Sequence, residues 1–324
     1  METRPTICRP PPFDQTVDQT GYAWWYLDAI SDDQRFGVTL IAFIGSVFSP
    51  YYVRARARGS SDPLNHCAIN VALYGPKGRW SMTERGRDSV EQQADSFIVG
   101  PSALEWNGDH LSIELNEWAA PLPRRIRGQI RLFPRTTSDQ SIALDPDGRH
   151  LWTPIWPEAR VEMELDCPEL RWSGAGYFDH NTGTEPLESR FDTWFWLRAH
   201  TQRGPVVLYD TKLRSGGERH LALRFDRAGG VESLPSPALA RLPRSRWGVA
   251  RPCRSENEEA KITTVWEDTP FYTRSLVEIR VLGEQVTAVH ESLSLPRFSS
   301  SVVQLMLPFR MPRRRSKPST RARK

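Results

Sequence analysis

The sequence predicts an all-β protein made of two antiparallel β domains, each a barrel or a sandwich, with few short helices. Three observations predict this fold class. Ten segments along the chain alternate in polarity or run apolar, as strands do. Short polar or glycine-containing breakers separate these segments, among them SDDQ, YGPKG, WNGDH and DPDG. Helical patterns between the segments are scarce, which disfavours a parallel sheet, and one eight-stranded barrel would not use so many strands.

The first half of the chain contains five strand-like segments. They are YAWWYLDAI from residue 22, RFGVTLIAFIG from 35, HCAINVALYG from 66, HLSIELNEW from 110 and RIRGQIRLF from 125. The apolar run GVTLIAFIGSVF (37–48) is too short for a membrane helix, which needs about 20 apolar residues. It predicts a buried strand with a bend at Gly45. SVEQQADSF (89–97) predicts a short helix.

The second half contains five more strand-like segments and one predicted helical turn, PSPALARLP (235–243). The strand-like segments are ARVEMELD from residue 159, LRWSGAGYFDH from 170, TWFWLRAH from 193, GPVVLYDTKL from 204 and HLALRFD from 220. Between the halves lies RHLWTPIWPEA, where Pro154 and Pro157 are expected to interrupt any strand. We place the domain boundary there. The predicted organisation is a disordered start (1–13), two β domains (14–153 and 154–310) and a disordered basic tail (311–324).

The charge distribution is uneven along the chain. The net charge is +4, yet the segment from Arg313 onward, RRRSKPSTRARK, holds seven basic residues and no acidic one. Removing these seven charges from +4 leaves a body of net charge −3. A basic tail suits anionic lipid headgroups. The body has no aromatic-plus-basic RNA-binding signature, so no nucleic-acid partner is predicted.

Cysteine usage and missing motifs limit the function classes further. The four cysteines lie far apart without a CxxC pair, and the amino terminus lacks a secretory signal, which predicts a reduced, cytoplasmic protein. The chain has no GxSxG elbow, glycine-rich phosphate loop, HExxH or paired-cysteine zinc motif. We therefore predict no cofactor and no metal site. The 12 tryptophans fit either a large core or an apolar or carbohydrate-binding cavity.

Four residues stand at positions that suggest a site. His150 and Trp152 alternate as H-x-W, and Tyr177 and Asp179 alternate as Y-x-D, so each pair would share one face of a strand. Asp179 follows two aromatic residues, an unusual place for a carboxylate, because leaving water is costly without compensation. The structural alternatives are a capping histidine, a core tryptophan, a hydrogen-bonded tyrosine and an aspartate in a turn. DHNTG does have turn chemistry, so this local pattern alone leaves both interpretations open.

Longer segments resemble a known family. GYAWWYLDAISDD, GVTLIAFIGSVFSPYY, NHCAINVALYG, RWSMTERG, GYFDHNTGTEPLE, EDTPFYTRS and HESLSLPRF together resemble the carotenoid 1,2-hydratases (hydroxyneurosporene synthases) of photosynthetic purple bacteria, from about residue 14 to about 300. The resemblance implies two lipocalin-like β domains. It also implies a cofactor-independent lyase that adds water across the terminal 1,2 double bond of acyclic carotenoids such as neurosporene or lycopene. The family's catalytic residues match here at His150, Trp152, Tyr177 and Asp179.

Such a hydration is a problem of acid catalysis. Protonation of C2 leaves a tertiary cation at C1, which water then attacks. Burial beside Tyr177 and Phe178 would raise the pKa of the Asp179 carboxyl and keep it able to donate. The aromatic faces of Trp152 and Tyr177 would stabilise the cation, and His150 would orient the water and accept its proton.

Further expectations concern the substrate. The site is expected at the domain junction, and the predicted substrate-binding side chains are Trp24, Trp25, Phe178 and His180. Because carotenes reside in membranes, we expect peripheral association with the inner or intracytoplasmic membrane, helped by the basic tail at about 1 kcal/mol per charge. Two other functions remain open: a non-catalytic lipocalin-like carrier of an apolar isoprenoid, and a carbohydrate-active protein with paired carboxylates.

Overall fold

A computed structural model describes residues 9–314, and its secondary structure is predominantly β, as predicted. Its strands are β1 (Tyr22–Ser31), β2 (Gly37–Ile44), β3 (Cys67–Tyr74), β4 (Arg79–Arg85), β5 (Val90–Gln93), β6 (Ser96–Val99), β7 (Ser102–Trp106), β8 (Leu111–Trp118), β9 (Arg125–Thr136), β10 (Ile142–Ala143), β11 (His150–Cys167), β12 (Glu169–Gly183), β13 (Phe191–Thr201), β14 (Gly204–Leu213), β15 (Glu218–Phe225), β16 (Val231–Ser233), β17 (Leu239–Arg241), β18 (Pro252–Arg254), β19 (Lys261–Asp268), β20 (Tyr272–Val281) and β21 (Glu284–Ser294). Its helices are α1 (Pro50–Ala57), α2 (Leu187–Arg190), α3 (Leu295–Phe298) and α4 (Ser301–Arg310), with 3-10 turns at Pro63–His66 and Arg87–Ser89.

The strands form three antiparallel sheets. A twelve-stranded sheet has the order β4-β3-β2-β1-β12-β11-β9-β8-β7-β6-β5, with β10 beside β11. A seven-stranded sheet has the order β16-β15-β14-β13-β21-β20-β19, and β17 pairs with β18. Most neighbours are consecutive in the chain, as expected of strands joined by tight turns. The exception that matters for function is the pairing of β1 with β12, which brings residues 22–31 beside 174–183.

The chain divides into two compact units, but not at the predicted place. The first unit contains the residues up to Ile142, His150–Thr184 and the chain from Met306 on, and the second contains Ala143–Arg149 and Glu185–Leu305. The boundary predicted between residues 153 and 154 therefore falls inside β11. The strand tolerates Pro154 and Pro157 because its register with β12 shifts on both sides of Trp156. Such irregularities accommodate residues that cannot donate to the ladder.

Two predicted helical segments are strands instead. Residues 89–97 form the end of a 3-10 turn and the hairpin of β5 and β6, and burial alternates along both strands. Residues 235–243 contain β17, in which the buried Ala240 lies between two exposed neighbours. In both places exposed and buried residues alternate with a period of two, which is the pattern of a strand and not of a helix. The predicted bend at Gly45 is confirmed: β2 ends at Ile44, and Gly45 has a φ of +63°.

The predicted disordered start is wrong for its last residue. Phe13 is fully buried, its ring centroid lies 5.1 Å from that of Trp25, and its carbonyl accepts a hydrogen bond from Gln92 Nε2 at 2.7 Å. Pro11 is buried as well, so the prediction is also wrong for that residue, and the two buried side chains fix this segment against the core. Residues 1–8 lie outside the described part of the chain.

The first residues of the predicted disordered tail are also held in place. The backbone of Pro312 and Arg314 pairs with Glu84 in β4, and the Arg313 guanidinium binds the Glu84 carboxylate. Glu84 is buried, and His66 Nδ1 lies 2.9 Å from its Oε1. A buried carboxylate requires such partners, so Arg313 anchors the chain end to the sheet. The remaining tail residues, 315–324, lie outside the described residues.

Arg313→Ala should lower the free energy of unfolding by about 1–3 kcal/mol, because a charged hydrogen bond to the buried Glu84 is lost. Arg314→Ala is the matched control, since the Arg314 contact to Glu84 is made by its backbone. Urea denaturation of the two variants measures the difference. Equal stability of Arg313→Ala and the wild type would show that the ion pair contributes nothing to the fold.

The core of the first unit lies on one face of its sheet. It includes Ala23, Leu27 and Ala29 of β1, together with apolar side chains of β2, β3, β8 and β9. Along β1 every residue from Tyr22 to Ala29 is buried, so the face opposite this core is covered as well. The candidate site lies on that opposite face. No helix in the described part of the chain is both long and apolar enough to cross a membrane.

Candidate active site

The four predicted catalytic residues lie together on one face of three adjacent strands in the first unit. β12 is the central strand, with β1 on one side and β11 on the other. In the register, Asp179 lies opposite Tyr26, and Trp152 lies opposite Asn181. Because β12 runs through residue 183, Asp179 belongs to a strand, and the turn interpretation of DHNTG is wrong. All four residues belong to the first unit.

Three donors surround the Asp179 carboxyl, which is only 3% exposed. Trp152 Nε1 donates to Asp179 Oδ2 at 2.9 Å, and the Tyr177 hydroxyl donates to the same oxygen at 2.8 Å. Asn181 Nδ2 donates to Oδ1 at 2.9 Å. Trp152 Nε1 also lies 3.1 Å from the Tyr177 oxygen, so the three side chains form one connected network. Burial favours the neutral acid, whereas these donors favour the carboxylate, so the two effects oppose each other.

Asn181 can serve both forms of Asp179. Its side chain is buried, and its own Oδ1 has no hydrogen-bond partner among the described residues. In the present orientation the amide nitrogen donates to the carboxylate. Turned over by 180°, the amide would present Oδ1 as an acceptor for the proton of the neutral acid. The residue therefore suits an aspartate that gains and loses a proton.

His150 is fully buried and lies beside Tyr22. The Tyr22 hydroxyl is 2.8 Å from His150 Nδ1, although the two residues are on strands β1 and β11, with β12 between them. Gly183 of β12 lies opposite both residues. A Cβ at Gly183 would approach the Tyr22 ring to 2.3 Å, so the missing side chain is what lets the tyrosine reach across the strand. The glycine at position 183 thus allows the Tyr22 hydroxyl to form a hydrogen bond with Nδ1 of His150.

Aromatic side chains of β1 and β2 extend the same face. Trp24, a predicted substrate-binding residue, stacks on Tyr22 with ring centroids 4.8 Å apart and meets the edge of Phe43 at 6.0 Å. Tyr26 meets Tyr177 edge-on at 6.2 Å. Aromatic rings therefore make up a large part of this surface around the acid and the imidazole. Such a surface suits an apolar substrate and a developing positive charge.

The other three predicted substrate-binding residues lie on the opposite face. Trp25 and Phe178 belong to the core cluster, and His180 stacks on Trp25 at 5.1 Å. Burial lowers the pKa of His180 to about 3, so its imidazole is neutral near pH 7. These residues alternate with the site residues along their strands, and the geometry favours a packing role for them.

A second buried carboxyl, Asp28, is on the same face as Asp179. It lies opposite Tyr177 in β12 and opposite Thr39 in β2, and it is fully buried. A glycosidase-type pair would require two carboxylates facing an open polar cleft that holds a sugar. The two carboxyls here are buried among tyrosine and tryptophan side chains. The surroundings therefore disfavour the carbohydrate-active alternative.

Several residues of this face were not among the predicted site residues. Tyr22, Tyr26 and Asp28 alternate with the core residues of YAWWYLDAI, and Asn181 continues the Y-x-D alternation of β12. Their positions follow from the alternation of side chains along a strand: every second residue lies on the same face, so the next alternate residues also belong to the site face. The described residues contain no group of three or more His, Cys, Asp or Glu side chains placed to hold a metal ion. Cys67, Cys167 and Cys253 are free thiols.

Fold and site together define an all-β protein with a buried acid held among aromatic side chains. A family model described as "Carotenoid hydratase CrtC" matches residues 40–320 of the chain. This protein belongs to that carotenoid hydratase family. The match includes β11 and β12, which carry His150, Trp152, Tyr177 and Asp179.

Named relatives agree with the family assignment. The chain is 54% identical over 308 residues to the acyclic carotenoid 1,2-hydratase of Thiocapsa roseopersicina, covering 94% of this chain and 76% of the relative. It is 48% identical over 309 residues to the protein of the same name from Rubrivivax gelatinosus, with the same coverage of 94% and 76%. Both identities extend over nearly the whole chain, so both predicted β domains are part of the family's sequence.

A solved structure supports the fold. The crystal structure of an AttH-type protein from Nitrosomonas europaea matches with a TM-score of 0.61 at 13% identity, covering 91% of this chain and 98% of that one. At this identity the likeness concerns the fold alone. The predicted all-β, lipocalin-like fold class is confirmed.

Proposed function

We propose that this protein is an acyclic carotenoid 1,2-hydratase, which adds water across the terminal C1–C2 double bond of a substrate such as neurosporene or lycopene. The observation that carries the proposal is the buried Asp179 carboxyl, with Trp152, Tyr177 and Asn181 bound to it. The names of the relatives at 54% and 48% identity support the same reaction. A carrier would need the apolar surface but would have no use for a buried acid within it.

In the proposed first step, the proton of neutral Asp179 is transferred to C2 of the substrate. The π electrons of the double bond form the new C–H bond, and C1 becomes a tertiary cation. The carboxylate left behind is the form that Trp152, Tyr177 and Asn181 stabilise by donating to its two oxygens. The donors therefore lower the barrier of a transfer that an isolated buried acid would resist.

The aromatic rings of Trp152 and Tyr177 stabilise the cation without reacting with it. A cation over an aromatic face gains roughly 0.5–2 kcal/mol per ring, and the gain is largest where water is excluded. Trp152 and Tyr177 are both fully buried and bound to the acid itself. The same two side chains thus hold the Asp179 carboxyl by hydrogen bonds and stabilise the cation that forms when Asp179 donates its proton.

In the second step, water attacks C1 while His150 accepts one of its protons. This role requires the tautomer in which His150 Nδ1 donates to the Tyr22 oxygen, 2.8 Å away, because Nε2 is then the basic nitrogen. Return of that proton to Asp179 completes the cycle. The net change is the addition of one water, so the mechanism requires no cofactor.

The substrate also implies where the protein works. An acyclic carotene is wholly apolar and is delivered from a lipid bilayer. We therefore propose cytoplasmic, peripheral association with the inner or intracytoplasmic membrane, with no nucleic-acid partner. The basic chain end supports this proposal, because RRRSKPSTRARK carries seven positive charges on a body of net charge −3.

The proposal is tested with purified protein and detergent-dispersed lycopene in deuterium oxide, with a chelator present. A 1-hydroxy product carrying one deuterium at C2 is expected, because the acid exchanges its proton with solvent before each turnover. Mass spectrometry and NMR of the product measure this. Bound but unchanged carotene would favour the carrier alternative. Loss of turnover with chelator, restored by a divalent metal, would contradict the cofactor-independent mechanism.

A further inference from the structure

Helix α4 carries an apolar stripe that faces away from the protein. Val302, Leu305, Met306 and Phe309 are 69%, 65%, 43% and 78% exposed. Their spacing of i, i+3, i+4 and i+7 places them on one face of the helix. These four residues, the α4 stripe, are four of the nine large hydrophobic side chains exposed in the described part of the chain. Contiguous exposed apolar surface of this kind marks an interaction site.

The helix is fixed so that the stripe stays outward. Val303 and Leu307 are buried, so they hold the adjacent side of α4 against the protein. The Arg310 guanidinium lies over the Trp80 ring at 4.5 Å, and Met311, the next residue, is buried. Packed residues at two successive turns prevent the helix from rolling its apolar side inward.

We propose that the α4 stripe inserts into the surface of a membrane that contains anionic lipid. The positive charge that follows the stripe in the sequence indicates an anionic membrane surface as the binding partner. From Arg310 to the end, the chain carries eight basic residues and no acidic one, while the rest of the protein is net acidic. An apolar helix face beside a concentrated positive charge is the pattern of a helix that lies in the interface plane of an anionic bilayer.

Other occupants fit less well. A symmetric dimer through the stripe would cover its apolar side chains but would give no role to the eight basic residues that begin at Arg310. The ten residues after Arg314, RSKPSTRARK, include only Pro318 and Ala322 as non-polar residues, so they offer little apolar surface that could cover the stripe. A nucleic acid would match the charge but not the exposed phenylalanine and leucine.

The experiment measures vesicle binding by the full-length protein without any carotenoid, so its outcome is independent of the proposed catalysis. Wild type is floated with phosphatidylcholine vesicles that contain or lack phosphatidylglycerol. We expect stronger binding to the anionic vesicles, weakened by salt. The double variant Leu305→Ser/Phe309→Ser should bind at least about tenfold more weakly, since two inserted apolar side chains are lost. Leu122→Ser/Leu239→Ser is the matched control, because Leu122 and Leu239 are 65% and 58% exposed elsewhere.

Several results would overturn the assignment. Equal vesicle binding by the α4 variant and the wild type would show that the stripe does not insert. A wild-type dimer in light scattering that the α4 variant loses would make the stripe a contact between copies of the chain.

Hydration of detergent-dispersed lycopene should be unchanged in the α4 variant and reduced only for lycopene in vesicles. A loss with both forms would mean that the substitutions damage the enzyme itself.

Discussion

Asp179→Asn is expected to give a folded protein that binds acyclic carotene but hydrates it about 10²–10⁴-fold more slowly, the usual cost of losing a principal acid. The structure explains why the fold should survive. The amide oxygen of the introduced asparagine can accept the hydrogen bonds of Trp152 and Tyr177. Its amide nitrogen would face Asn181, which can turn over and accept with Oδ1. The hydrogen bonds to Trp152, Tyr177 and Asn181 are then replaced, and the transferable proton is missing.

Asp28→Asn is the control for this substitution. It removes the other buried carboxyl on the same face, and we expect a much smaller effect on rate. Thermal unfolding and carotene binding are measured for both variants, so that a folding defect is separated from a catalytic one. Asp179→Glu keeps an acid but moves it by one methylene, and only partial activity is expected from it. Asp179→Asn protein that is folded and near wild type in rate would return this carboxylate to a structural role.

The period of two along the strands predicted much of the site. It placed His150 with Trp152 and Tyr177 with Asp179, because alternate side chains of a strand share a face. It could not show that β1 lies on the far side of β12. That pairing joins residues far apart in the sequence, and register across strands depends on the whole sheet. Pro154 and Pro157 misled for the same reason: only the paired strand shows that shifts in register accommodate them.

The same periodicity also separates the predicted substrate-binding residues into those on the site face and those on the opposite face. Phe178 and His180 stand next to site residues in the sequence, and adjacent strand residues point to opposite faces. Nearness along the chain therefore grouped residues of opposite faces, while Asn181, two residues from Asp179, was overlooked. Trp24 and Trp25 show the rule within one pair: the first stacks on Tyr22, and the second lies in the core.

The chain termini illustrate a different limit. Composition predicted disorder for residues 1–13 and 311–324, yet Phe13 is buried and Arg313 binds Glu84. A single aromatic ring or one ion pair hardly changes the composition, but it can offset the cost of ordering one or two residues. Burial of one large side chain contributes about 1.5–3 kcal/mol, enough to offset the ordering of one or two residues.

Trp152 combines two functions that substitutions can separate. Its indole N–H donates to Asp179 and its ring is fully buried beside Tyr177. Trp152→Phe keeps an aromatic face and loses the donor, whereas Trp152→Leu loses both. We expect both variants to be slower than wild type, since the Asp179 carboxylate formed by proton transfer would lack one of its three donors. The leucine variant should be slower than the phenylalanine variant by a further factor of roughly 2–30, equivalent to a cation–π contribution of about 0.5–2 kcal/mol.

The comparison is made on the turnover number with detergent-dispersed lycopene, alongside thermal unfolding of each variant. Trp156→Phe and Trp156→Leu are the matched controls, because Trp156 belongs to the same strand but packs in the core against Phe178. These controls should lose stability to a similar degree while keeping most of their activity. If Trp152→Phe and Trp152→Leu turn over equally fast, the ring face contributes nothing to the cation, and Trp152 acts through its N–H and its volume alone.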